Sequence, residues 1–128
     1  PFAIKRYPRS LQYLADIDTH GKAAAEVKAQ QATLKVQCHF NLAAGYLKLE
    51  KFTEAVDHCT HGLENDADNV KGLYRRGQAF MKLNQYEEAK RDFNHALQIE
   101  PSNKATANQL AQLNSLIKKE RDMYKRMF

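Results

Sequence analysis

Two stretches decide how this chain reads: Leu49-Glu50-Lys51-Phe52-Thr53-Glu54-Ala55 and Leu83-Asn84-Gln85-Tyr86-Glu87-Glu88-Ala89. They lie 34 residues apart, and the offset continues through Tyr46/Phe80, Lys48/Lys82, Asp57/Arg91, Cys59/Phe93, Leu63/Leu97 and Asn69/Asn103. One full unit therefore runs over 36–69 and a second over 70–103. A period of this length marks stacked supersecondary units, none of which buries its apolar face alone. With 5 Gly and 3 Pro in 128 residues, and few β-branched runs, the units are expected to be helical. In the second unit, Gly77 and Ala89 are the small positions that let two helices approach. Phe80, Tyr86 and Phe93 fill the space between them, and Pro101 follows the end of the second helix.

This pattern of small and aromatic positions resembles the tetratricopeptide repeat, a helix–turn–helix unit. The first unit departs from it: Ala43 replaces the glycine, Cys59 the aromatic, Gly62 an alanine and Ala67 the proline. A helical glycine costs about 1 kcal/mol relative to Ala, so Gly62 marks the first unit as the softer one. The flanks extend the array. Residues 1–35 read as a partial first repeat, its second helix followed by the connection into the next helix. Ala3, Tyr7, Leu11 and Leu14 make one apolar stripe, kinked at Pro8. A polar turn is expected over residues 16–22 around Gly21, then one long helix over 23–49. Residues 104–128 read as a capping helix with the stripe Leu110, Leu113, Ile117, Tyr124 and Phe128, interrupted by Arg121. The expected fold is all-α: a tetratricopeptide-repeat array of antiparallel helix pairs in a right-handed superhelix, with a C-terminal cap.

In such an array the first helices line the concave wall, and residues there that do not pack are candidate binders. Lys71 and Arg75, four apart, share a helix face. Asn41 holds the slot in the first unit that Arg75 holds in the second. An Asn, a Lys and an Arg on one wall can grip a carboxylate, Arg bidentately and Lys as a point charge. Gln78 and Lys82 continue the face, and Phe40, Tyr74 and Met81 are candidates for apolar pockets beside it. Arg76 is rotated away and reads as surface.

At these residues, Phe40-Asn41-Leu42-Ala43 and Lys71-Gly72-Leu73-Tyr74-Arg75-Arg76-Gly77, the sequence resembles the carboxylate-clamp class of tetratricopeptide domains. The ending Lys118-Lys119-Glu120-Arg121-Asp122-Met123-Tyr124-Lys125-Arg126-Met127-Phe128 is similar to the tail of large immunophilin co-chaperones of the FK506-binding and cyclophilin-40 types. The resemblance implies binding of the acidic C-terminal Glu-Glu-Val-Asp peptide of heat-shock protein 90, with heat-shock protein 70 a second candidate. It implies a peptidyl-prolyl isomerase domain upstream in the parent, of which this chain holds nothing. The family clamp has five members, two of them on a first-repeat helix that this chain lacks, so only Asn41, Lys71 and Arg75 carry over.

Other classes are weaker. The chain carries a net charge of +5 and a pI near 9.2, a mild bias toward acidic partners. No apolar run approaches the roughly 18 residues of a membrane span, and no signal-peptide core opens the chain. The two cysteines, Cys38 and Cys59, make no disulfide framework, so the chain reads as cytosolic or nuclear. Cys38-His39 and His58-Cys59 are adjacent pairs whose members point about 100° apart on a helix, so no metal and no cofactor is expected. Buried Cys as a small hydrophobe is the better reading. No phosphate loop or nucleophile motif is present, so catalysis in this chain is not expected. Nucleic-acid binding would need a larger basic patch interleaved with aromatics. The basic amphipathic stretch 117–128 is a candidate calmodulin target. The rival reading is an adaptor that binds another protein or self-associates through the stripe Phe2, Tyr7, Leu11 and Leu14.

Overall fold

The computed structural model describes residues 20–127, with the side chains of 21–127. Five helices occupy this range, with no strand among the described residues: α1 (His20–Lys48), α2 (Phe52–Asn65), α3 (Val70–Lys82), α4 (Tyr86–Ile99) and α5 (Lys104–Met127). The expected stripe of Phe2, Tyr7, Leu11 and Leu14 lies outside the described residues. The chain divides into two units, 1–35 and 36–128. In the first, the described part is the exposed, Ala-rich start of α1. The turn expected over residues 16–22 is corrected at its end: Gly21 and Lys22 are already helical, followed by three alanines of high helix propensity.

The 34-residue period is written into the backbone hydrogen bonds. At the end of α1, Lys51 N–H donates to Tyr46 C=O and Glu50 N–H to Leu47 C=O; at the end of α3, Gln85 N–H donates to Phe80 C=O and Asn84 N–H to Met81 C=O. Both are Schellman closures, which satisfy the last carbonyls of a helix by placing one residue in the left-handed region. Those residues are Glu50 (φ 59°) and Asn84 (φ 62°). Helix starts repeat as well. The Asn69 side chain accepts from Gly72 N–H and the Asn103 side chain from Thr106 N–H, each at 3.0 Å. The capping helix thus begins as a third repeat would.

Packing follows from this frame: α2 against α3, α3 against α4, and α5 against both α4 and α3. One cluster joins Val36, Phe40 and Ala43 of α1 to Cys59 and Leu63 of α2, Leu73 of α3 and Ala96 of α4. The other joins Met81, Ala89, Phe93 and Leu113, with Tyr74, Phe80, Tyr86, Leu110, Leu116 and Ile117 packed on it. The small positions work as steric gaps. A Cβ at Gly77 would stand 2.5 Å from the Phe93 ring. Gly62, expected to soften its unit, has the same duty, since a Cβ there would stand 2.6 Å from the Phe40 ring. Gly72 faces that ring more closely still, so Phe40 is wedged between the backbones of α2 and α3.

Three further expectations need correction. Arg76 is not surface. Its Nε and Nη2 donate to Oδ2 and Oδ1 of buried Asp92 at 2.7 and 2.8 Å, and Nη1 donates to Thr60 Oγ1 at 3.3 Å. The stripe of the capping helix ends at Ile117, because Tyr124 is 55% exposed; Phe128 lies outside the described residues. Cys38 is exposed, and only Cys59 acts as the buried small hydrophobe.

Candidate functional site

The clamp candidates sit on two consecutive first helices, Asn41 on α1 and Lys71 and Arg75 on α3. Asn41 and Lys71 are exposed, while Arg75 is half-buried. The Arg75 guanidinium crosses to α1, where Nη1 donates to the Phe40 carbonyl at 2.8 Å. That bond places the cation beside the backbone of Asn41 and takes one of its five N–H donors. Among the described residues, neither Lys71 nor Arg75 has a carboxylate partner. Arg75 and Arg76, adjacent in sequence, therefore differ in kind. Arg76 is paired with Asp92, whose hydrogen bond raises the guanidinium pKa further above its ordinary value, while Arg75 has a backbone carbonyl and no carboxylate as its partner among the described residues.

The secondary candidates divide. Gln78 and Lys82 line a recess of about 250 Å³ with Leu47, Glu50 and Phe52, beside the Schellman turn that closes α1. Tyr74 is half-buried: its ring lies 6.3 Å from that of Phe93, and its hydroxyl accepts from Gln78 Nε2 at 3.2 Å. Phe40 and Met81 are corrected. They are 5% and 9% exposed and belong to the core clusters, so they shape the wall from behind and offer a ligand almost no surface. Phe40 has to be buried because the glycines of α2 and α3 hold its ring.

Sequence reasoning missed a group on the other side of α1. His39 Nδ1 lies 3.1 Å from His58 Nδ1, the His39 ring centroid is 5.4 Å from those of both His58 and His61, and Tyr46 stacks on His58. Pairing each histidine with its chain neighbour alone hides this contact. The signal available in the sequence is the His58/His61 spacing, three apart on one helix face. Cys59, beside His58, is set apart by burial, which pushes its thiol pKa up to about 12.

Comparison with known proteins agrees with this architecture. The tetratricopeptide-repeat family profile matches residues 70–103. The bovine peptidyl-prolyl cis-trans isomerase FKBP4 is 37% identical over 130 residues, covering 98% of this chain but only 28% of that protein. Among solved structures, the C-terminal tetratricopeptide-containing domain of a Plasmodium falciparum protein described as FK506-binding superposes with a TM-score of 0.72. It is 26% identical, over 94% of this chain and 90% of that one. Two domains of RPAP3 also match. The first of Spaghetti (RPAP3), bound to the HSP90 peptide SRMEEVD, gives a TM-score of 0.60 at 25% identity, over 76% of this chain and 88% of that one. The second of human RPAP3, in complex with the HSP70 peptide SGPTIEEVD, gives 0.58 at 28% identity, over 77% and 93%. With its 34-residue period and its repeated caps and turns, the chain is a tetratricopeptide-repeat region, similar along nearly its whole length to that of an FK506-binding immunophilin and spanning 28% of the length of that relative.

Proposed function

We propose that this region is a chaperone-binding module that grips the acidic C-terminal Glu-Glu-Val-Asp peptide of heat-shock protein 90, and secondarily that of heat-shock protein 70, through Asn41, Lys71 and Arg75. The observation that carries the proposal is Arg75, a half-buried cation steered onto α1 by the Phe40 carbonyl and, among the described residues, without a carboxylate partner. A chain-terminal carboxylate supplies what that site lacks. Arg75 would bind it in fixed geometry, Lys71 would add charge from one turn earlier, and Asn41 would donate from its side-chain amide. The two RPAP3 domains of similar fold, each with a peptide ending in Glu-Glu-Val-Asp, support the reading. In this proposal Gln78 and Lys82 meet residues upstream in the peptide, and the module acts in the cytosol or nucleus. It is non-catalytic: any prolyl isomerisation belongs to another part of a longer protein, and an isomerase assay on this region should read blank.

Fluorescence anisotropy of a labelled Met-Glu-Glu-Val-Asp peptide tests it. Lys71→Glu, an exposed change, should weaken binding at least roughly tenfold, equivalent to about 1.4 kcal/mol. Equal affinity for the wild type and the variant would move the region to the adaptor class.

A further inference from the structure

The histidines between α1 and α2 carry a second proposal, independent of the peptide site. We propose that His39, His58 and His61 form a binding site for a divalent transition-metal ion of the zinc, nickel or copper class.

The geometry of the first two donors is already close to that of a chelate. Imidazole nitrogens bind such ions at about 2.0–2.1 Å, so two donors 3.1 Å apart subtend about 98° at a shared ion. That angle lies between the octahedral and tetrahedral values, and both geometries accept imidazole. The two rings come from different helices, so an ion held between them would cross-link α1 to α2. Tyr46, stacked on His58 at an interplanar angle of 10°, fixes the plane of one donor. His61 follows three residues after His58, and its ring centroid is 5.4 Å from that of His39.

Among the described residues, no three His, Cys, Asp or Glu side chains yet surround one point. The third ligand is the part that must move. His61 Nδ1 lies 3.5 Å from Glu64 Oε1, a pair that is 60% and 65% exposed, so turning away from it costs little. The same exposure gives the ion an entry path and leaves water to complete its coordination.

The protons balance without a co-reactant. In the metal-free pair, one Nδ1 carries a hydrogen and the other accepts it. On binding, the donor ring shifts its hydrogen to Nε2, so both Nδ1 lone pairs face the ion and neutral imidazoles lose no proton.

The sequence-based expectation of no metal rests on adjacent residues pointing apart, which holds within each helix. It does not reach across helices, and the His39–His58 contact crosses them.

The test is calorimetric titration of the tag-free chain with Zn²⁺ at pH 7.4, together with Tm measured with and without the ion. One saturable site and a raised Tm are expected. His58→Gln and His61→Gln should each weaken binding at least roughly tenfold, while His95→Gln, whose ring pairs with Asp68 instead, should leave it unchanged. His61 is exposed, so that variant remains informative if His58→Gln disturbs folding. No saturable binding below about 1 mM, or full affinity retained in either of the first two variants, overturns the three-imidazole site.

Discussion

Gly72→Ala is the sharpest perturbation of the packing behind the proposed clamp residues. Alanine is the better helix former by up to about 1 kcal/mol, and less at Gly72 because it lies in the first turn of α3. Against that gain stands the Phe40 ring, which occupies the place the new methyl must take. The ring has nowhere to swing. It is 5% exposed, and on its other side the Gly62 backbone sits where a Cβ would be 2.6 Å from the ring. Overpacking a closed core costs about 1–3 kcal/mol, so the net effect should be a loss of about 1–2 kcal/mol. At about 4 °C per kcal/mol for a domain near this size, Tm should fall by several degrees. Gly45 gives the internal control: it lies in α1, where a Cβ would meet nothing within 4 Å, so Gly45→Ala should raise Tm. Thermal unfolding followed by circular dichroism reads both. Combining Gly72→Ala with Phe40→Leu should cost less than the sum of the two single changes by about 1 kcal/mol, since both act on one contact. If Gly72→Ala stabilises as Gly45→Ala does, or if the pair is additive, the wedge is wrong.

Adjacent arginines should part company. Arg76→Met strands the buried Asp92 carboxylate and should cost about 3 kcal/mol in urea unfolding, whereas Arg75→Ala should cost under about 1 kcal/mol and remove peptide binding instead. The Cys59 thiol gives a pH signature. Below pH 9.0 it is neutral folded or unfolded; above that the unfolded thiol ionises first, so stability should fall by up to about 1.4 kcal/mol per pH unit toward the folded value near 12. Cys59→Ala should show a shallower fall between pH 9 and 10.5, and an equal slope would refute the assignment. In a thiol-labelling assay Cys38 should react at once and Cys59 only as the chain unfolds. Thr106 Oγ1 is buried with no hydrogen-bond partner among the described residues, so Thr106→Val should stabilise by about 1 kcal/mol in urea; a loss of that size would reveal a partner for the hydroxyl.

Much of this molecule is legible in its sequence. The 34-residue offset locates both turns, and the same backbone closures recur at Glu50 and Asn84 although neither is glycine. Asn69 and Asn103 announce the starts of α3 and α5, since an asparagine side chain accepts from a helix N–H three residues on. What escapes is set by pairs distant in sequence. Gly62 reads as a defect until Phe40 is seen against it, and Phe40 reads as a pocket wall until both glycines are. Arg76 looks like any helix-surface arginine beside Arg75; only Asp92, 16 residues later, separates them. The histidine contact is of the same sort, spanning 19 residues and two helices. Spacing within a helix gives the face of a residue, but not what the next helix brings to it.

The central claim is that a chain-terminal carboxylate is what Asn41, Lys71 and Arg75 recognise. The most direct measurement compares the same labelled Met-Glu-Glu-Val-Asp peptide as free acid and as C-terminal amide, by anisotropy at one ionic strength. The amide keeps both glutamates, the valine and the aspartate side chain, and loses only the terminal charge. Saturable binding of the acid and at least roughly tenfold weaker binding of the amide are expected. Equal binding of the two forms, or binding of neither, would contradict it.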